Sequence, residues 1–446
     1  MLKAIVSVAI LCASLTAQSI EPAGSSAGNN LSQAAATQTT DPVILWNRTL
    51  LTILRTPGAQ PATVHPTRSF AIMHAAIYDA VNGIDRTHRP FLVRVADRSR
   101  RASMDAAASA AAHEVLVSLY PSFQATLDAQ FQQMLGQIPD DDRRSDGVEI
   151  GNRVADSVLA LRGNDGSNIQ PPPFVFKTAP GDFQSTPPNF PKQPQFSIWS
   201  HVTPFVLESA SQFRPGRPPA LTSARYSQDF NEVKSLGIQN GSTRTPDQTE
   251  IGRFWSGPIQ NYWNEITQTA AIAHHLTTAQ SARLFALLDL TLADSVIAFY
   301  DAKYTYQLWR PVTAVRAADA DDNPLTAADP NWLPLTGNTP PDPSYPGAHA
   351  VISRAGAFVL SSFFGQDHFD FTVTSEVLPG VLRSFSGFSA AAEQASASRI
   401  FAGNHFRFDE DTGQRMGREV ADFVVDNVLT PRRGERRSRE DEDDER

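Results

Sequence analysis

Three short pieces of the chain, spread over residues 303–405, carry residue types that can grip an anion and move a proton. The first is Lys303-Tyr304-Thr305-Tyr306-Gln307-Leu308-Trp309-Arg310-Pro311. The second is Pro346-Gly347-Ala348-His349, and the third is Ser398-Arg399-Ile400-Phe401-Ala402-Gly403-Asn404-His405. A lysine ammonium is a compact point charge, and an arginine guanidinium is a planar fork that holds two oxygens. Gly347 and Ala348 stand where an apolar helix begins, and a helix start offers free N–H groups and the positive end of its dipole. Gly403 releases the chain from a helix, so that His405 can turn back towards Arg399. An imidazole nitrogen without a proton can act as nucleophile or ligand. The set suits a tetrahedral or trigonal-bipyramidal oxyanion such as phosphate or vanadate. The seven-residue step from Lys303 to Arg310 predicts both side chains on one face of a helix that Pro311 ends.

The elements that must position these residues follow from apolar periodicity. It predicts helices over 43–54, 66–84, 103–119, 123–135 and 147–162, then from about 222, and over 247–255, 263–275, 278–308, 348–364, 389–401 and 411–429. Residues 164–219 hold Pro171-Pro172-Pro173 and Pro187-Pro188, so they are not regular helix. They read as a loop wrapping the bundle, either rimming the site or making a passive surface excursion. Residues 317–346 are a second Pro- and Gly-punctuated loop. With no internal repeat and no strand alternation, residues 42–430 are expected to form a single all-α domain with long Pro-rich loops.

The termini read differently. Residues 1–17 have the short positive start, apolar run and small closing residues of a signal peptide, so the expected location is secreted or periplasmic. The one cysteine, Cys12, lies inside it, which leaves no disulfide or cysteine-held metal in a mature chain. Residues 18–41 read as a disordered linker and 431–446 as a disordered charged tail. No membrane span is expected in the mature chain. A formal charge of -9 speaks against a nucleic-acid partner.

Lys303-x6-Arg310-Pro311, then Pro346-x-x-His349, then Ser398-Arg399-x5-His405, in that order, resembles the vanadium-dependent haloperoxidases, within the superfamily that includes the type-2 phosphatidic-acid phosphatases. Trp46-Asn47, the helix at Met73-His74-Ala75-Ala76-Ile77-Tyr78-Asp79-Ala80-Val81, Phe254-Trp255, Trp263-Asn264 and Asp301-Ala302-Lys303-Tyr304 resemble the secreted bacterial branch. The resemblance implies a helical bundle of that type. It implies vanadate as cofactor, with His405 its axial ligand and His349 the acid–base group opposite. Lys303, Arg310 and Arg399 would hold the equatorial oxygens, with Gly347 and Ala348 beside them and Lys303 polarising bound peroxide. Here Gly347 and Ala348 replace the family's usual Ser and Gly, so a serine hydroxyl is missing. Losing one hydrogen bond to a charged group costs on the order of 1.5–3 kcal/mol. Asp342 lies where haloperoxidases tend to carry an aromatic or histidine linked to halide preference. A carboxylate there either repels halide or caps a turn between Pro341 and Pro343.

The implied function is oxidation of halide by hydrogen peroxide to hypohalous acid, which halogenates an organic acceptor. A second reading is an acid phosphatase cleaving phosphate esters through a phosphohistidine at His405. A third is a degenerate, non-catalytic oxyanion-binding protein. The sequence leaves a homodimer open. His65, His113, His274 and His275 read as core or surface residues, and Trp255 and Trp263 as packing. Asp301 and Asp294 are candidates to support the site from behind, although helical phase sets Asp301 roughly opposite Lys303, which argues against it.

Overall fold

The computed structural model describes residues 40–95 and 101–432. The expected signal peptide, the expected linker up to residue 39 and the expected tail from residue 433 lie outside the described residues. The helices run α1 (Pro42–Arg55), α2 (Thr67–Asp85), α3 (Met104–Leu119), α4 (Gln124–Leu135), α5 (Asp142–Arg162), α6 (Ala224–Gly237) and α7 (Pro246–Phe254). They continue as α8 (Ile259–Ala273), α9 (Thr278–Tyr306), α10 (Pro311–Arg316), α11 (Ala348–Phe364), α12 (Phe388–Phe401) and α13 (Arg407–Asn427). Among the described residues no helix is long and apolar enough to cross a membrane.

Three expectations need correction. The helix expected from 147 starts at Asp142, because the Asp141 side chain accepts from the N–H groups of Arg143 and Arg144. Residues 365–388 are not only loop: β1 (His368–Thr374) pairs antiparallel with β2 (Leu382–Gly387). The hairpin covers helix ends rather than forming a sheet core, and Phe371 and Val373 are its buried side chains. Most important, α9 ends at Tyr306, where Gln307 takes a left-handed turn with φ 47°. Arg310 is instead the N-cap of α10. Lys303 and Arg310 therefore do not share a helix face.

The chain also repeats itself, which the sequence reading missed. In α2, Phe70, Ala71, His74, Asp79 and Val81 have the same spacing as Phe285, Ala286, Asp289, Asp294 and Val296 in α9. Asp79 accepts from the backbone N–H groups of Phe91, Leu92 and Val93, each at 2.7 Å. Asp294 does the same for Phe205, Val206 and Leu207, at 2.7, 2.7 and 2.8 Å. Both triplets of donor N–H groups directly follow a proline, Pro90 and Pro204. Helix α5 meets α3 through Gly147 and Gly151, where an added Cβ would lie 2.5 Å from Ser103 O and 2.4 Å from Ala107 O. Helix α13 meets α11 through Gly413 and Gly417, at 2.6 Å from Gly347 O and 2.2 Å from Val351 O. Four helices, α1, α2, α3 and α5, thus correspond to α8, α9, α11 and α13. The signal was too diluted by substitution to stand out from helical periodicity.

The two copies meet in the core. His74 Nε2 lies 3.0 Å from Asn47 Oδ1 and 3.6 Å from Asp289 Oδ2, and Asn264 donates to Asp289 Oδ1 at 3.0 Å. A smaller apolar cluster of Tyr226, Phe230, Trp309, Trp332, Tyr345, Phe406 and Phe408 supports the turns that carry the candidate site.

Asp294→Ala would leave three backbone N–H groups without their acceptor in a buried setting. We expect a loss of about 3–5 kcal/mol, read as a lower denaturant midpoint; an unchanged midpoint would refute the tethering role.

Candidate active site

Each functional side chain comes from the end of an element. Lys303 is in the last turn of α9, Arg310 caps α10 and His349 is in the first turn of α11. Arg399 is in the last turn of α12, and His405 precedes α13. All three cations are buried: Lys303 is 0%, Arg310 1% and Arg399 3% exposed. The loop before α11 joins the first two. Lys303 Nζ lies 3.0 Å from Asp342 Oδ2, and Arg310 Nη2 donates to Asp342 Oδ1 at 2.6 Å. Asp342 is thus an ion-pair partner and not merely a turn cap. Burial would raise its carboxyl, but Lys303 and Arg310 outweigh that and hold it below its usual value. Burial pulls the Lys303 ammonium down to about 8, with Asp342 pushing up and Arg310 pulling down.

The tautomer of His405 follows from its partners. Arg310 Nη1 lies 2.9 Å from His405 Nε2. A guanidinium only donates, so Nε2 accepts and carries no proton. The proton then sits on Nδ1 and is donated to Asp409 Oδ2 at 3.1 Å. Burial, then the charges of Arg310, Lys303 and Arg399, hold this imidazole well below its ordinary pKa, so it is neutral. His349 is also neutral, through burial and Arg399. Its Nε2 faces the Trp255 carbonyl at 2.9 Å. A carbonyl only accepts, so Nε2 holds the proton and Nδ1 the free lone pair.

Three acidic or hydroxyl groups here escaped sequence reasoning. Asp409 Oδ2 accepts from Ser344 Oγ at 2.6 Å and from Phe406 N at 3.0 Å, as well as from His405. It caps α13 four residues earlier than expected, and the His405-x3-Asp409 spacing was the available signal. Burial raises its carboxyl to about 7 and that of Glu410 to about 8. Glu410 explains Gly347. A Cβ at 347 would lie 2.1 Å from Glu410 Oε1 and 2.6 Å from its Cδ. Nor is the Gly347 N–H free: it donates to Asp409 O at 3.0 Å. Of the two backbone donors expected there, only Ala348 has no such bond among the described residues, where no side chain caps α11.

Arg399 differs from the other two cations. Among the described residues, no hydrogen-bond partner meets its Nε or Nη1. It lines, with Asn404, a cavity of about 380 Å³. The walls come from the Pro-rich loop, at Thr186, Pro187, Pro188 and Gln195, and from Thr336 to Pro341. The loop therefore rims the site. It is tied down by Gln195 N to Pro341 O at 2.8 Å and Phe183 N to Gln307 O at 2.7 Å. His65 packs beside Phe196, Trp199 and Tyr300, close enough to Asp342 to feel its charge. Trp255 and Trp263 are buried packing residues, and Asp301 pairs with Arg214 away from the site.

Residues 283–434 match the family described as the VCPO second helical-bundle domain. The vanadium chloroperoxidase of Curvularia inaequalis is 26% identical over 486 residues, covering 83% of this chain and 79% of that protein. A bacterial vanadium-dependent iodoperoxidase structure superposes with a TM-score of 0.71 at 25% identity, covering 90% of this chain and 98% of the other. A holo-type bacterial vanadium-dependent chloroperoxidase structure gives 0.65 at 16% identity, covering 89% and 95%.

Two outcomes follow from this geometry. Gly347→Ser should cost about 1–3 kcal/mol by overpacking, and adding Glu410→Ala should return most of it in thermal unfolding. A Gly347→Ser protein as stable as the parent would remove the space argument. Phosphate affinity should fall as pH rises through about 8, where Lys303 loses its proton and the Glu410 carboxyl becomes charged. Lys303→Arg should make that fall shallower in a calorimetric titration and leave the part due to the carboxyls; an unchanged fall would show that Lys303 has no share in it.

Proposed function

We infer that this chain, whose fold and C-terminal bundle are those of the vanadium haloperoxidases, is a vanadate-dependent haloperoxidase oxidising halide with hydrogen peroxide to hypohalous acid. One observation carries the reading: Arg399, which lines a cavity, keeps buried Nε and Nη1 donors with no hydrogen-bond partner among the described residues, within charge range of a neutral imidazole, His405, whose Nε2 is kept free of its proton. Unpaired buried donors are costly unless an acceptor meets them, and an oxyanion is such an acceptor. The residues present therefore fit vanadate. His405 would hold it through Nε2, with Lys303, Arg310, Arg399 and the Ala348 N–H around its oxygens. Gly347 would contribute space and not a donor.

Bound vanadate supplies a Lewis-acidic centre at which hydrogen peroxide becomes electrophilic towards halide. The chain's own groups do the rest. Lys303 stabilises negative charge that develops in the reaction. Asp409 fixes the His405 tautomer through Nδ1. His349, anchored by Nε2 to Trp255 O, offers its Nδ1 to take and return a proton. The cavity, proline-rich at its walls and with the cationic Arg399 in its lining, admits peroxide, halide and a small organic acceptor. The leader-like residues 1–17 support a secreted or periplasmic location.

The test is direct. Protein incubated with orthovanadate is assayed for peroxide-dependent bromination of a phenol indicator, beside hydrolysis of p-nitrophenyl phosphate without vanadate. Vanadate-dependent bromination is expected, falling at least about a hundredfold in His405→Ala. Hydrolysis alone would make the chain an acid phosphatase working through a phosphohistidine. Neither activity in folded protein would make it a non-catalytic oxyanion binder.

A further inference from the structure

Lysine has three N–H donors and arginine five. On Lys303 all three are taken: by Asp342 Oδ2 at 3.0 Å, by Ser344 O at 3.1 Å and by Pro343 O. On Arg310, Nε donates to Asp342 O at 2.7 Å and Nη2 to Asp342 Oδ1 at 2.6 Å. Its Nη1 donates to Asn404 O and His405 Nε2, both at 2.9 Å. Four of its five donors are engaged, leaving one on Nη2. Arg399, by contrast, has Nε and Nη1 unpartnered. Two of the three cations are largely satisfied from within the chain, and the third is not. Among the described residues, the only negative charge among the hydrogen-bond partners of those two is the Asp342 carboxylate, with one oxygen on each cation.

We propose that Asp342 is a built-in counter-anion, holding Lys303 and Arg310 until an incoming oxyanion takes over those contacts. The proposal rests on reading the His405 cluster as an oxyanion site. Asp342 is 5% exposed and sits among Pro340, Pro341 and Pro343, with Asp342 N bonded to Pro340 O at 2.9 Å. It reaches both cations without rearrangement of a helix. An oxyanion arriving from the cavity meets Arg399 first. To use Lys303 it must displace the carboxylate, or share the cations with it at close range. In either case a like charge opposes binding. Asp342 thereby sets how tightly the site holds any anion, and it disfavours weakly held monoanions more than oxyanions able to span all three cations.

The experiment is calorimetric titration of the full chain with orthovanadate and, separately, with inorganic phosphate. Asp342→Asn and Asp342→Ser remove the charge, and Asp342→Glu keeps it. The two neutral variants should bind both anions about tenfold tighter or more, while Asp342→Glu should bind no tighter than the parent. Arg399→Ala should weaken binding in every background, which fixes the anion to this site. If the parent binds and neither neutral variant gains affinity, the counter-anion role is overturned and Asp342 merely positions Lys303 and Arg310. If no variant binds either anion, the oxyanion reading itself fails, and this inference with it.

Discussion

Three full positive charges are buried within one small volume, and much of the surrounding structure answers to that fact. An isolated buried charge is strongly destabilising unless it is paired. Asp342 answers Lys303 and Arg310 directly. Asp409 and Glu410 stand on the other side, against the His405 ring. Burial raises both of those carboxyls while it lowers Lys303 and Arg399. The balance is therefore struck with protons as much as with charges. The remaining imbalance is concentrated at Arg399, the cation that faces the cavity.

The duplication divides labour between two similar halves. Ser103 N bonds to Arg143 O at 2.8 Å, and Gly347 N bonds to Asp409 O at 3.0 Å, in equivalent places. In the first half Ser103 caps its helix through its side chain, accepting from Ala106 N at 3.2 Å. In the second half glycine leaves that helix start uncapped, and its end remains available to a ligand. The first copy lacks the arginine-bearing turns and supports the second through shared core residues. What binds an anion in one half is thus a structural joint in the other.

Much of this was legible in the chain. Helix α11 has the bounds that its apolar pattern and Gly365 indicate, and of the five charged or imidazole residues singled out by type and spacing, the other four lie within charge range of His405. The less legible parts share a cause: they depend on partners distant in sequence. Arg310 looked helical because spacing says nothing of the left-handed turn at Gln307. Asp342 read as either a halide-repelling carboxylate or a turn cap, and not as an ion-pair partner, because its two cations lie on other elements. Gly347 looked like a simple loss, since nothing local indicates that Glu410 fills the adjacent space. The hairpin was hidden because its buried positions, Phe371 and Val373, are too few to establish alternation.

The two rims of the cavity are rich in proline, at Pro187, Pro188 and Pro191 on one side and Pro340 and Pro341 on the other. Backbone so restricted has little freedom left to lose when a guest arrives. The doorway is a fixed frame rather than a flap. Dwell time inside then depends on the ionic floor, and an uncharged product formed there has nothing to detain it on the way out.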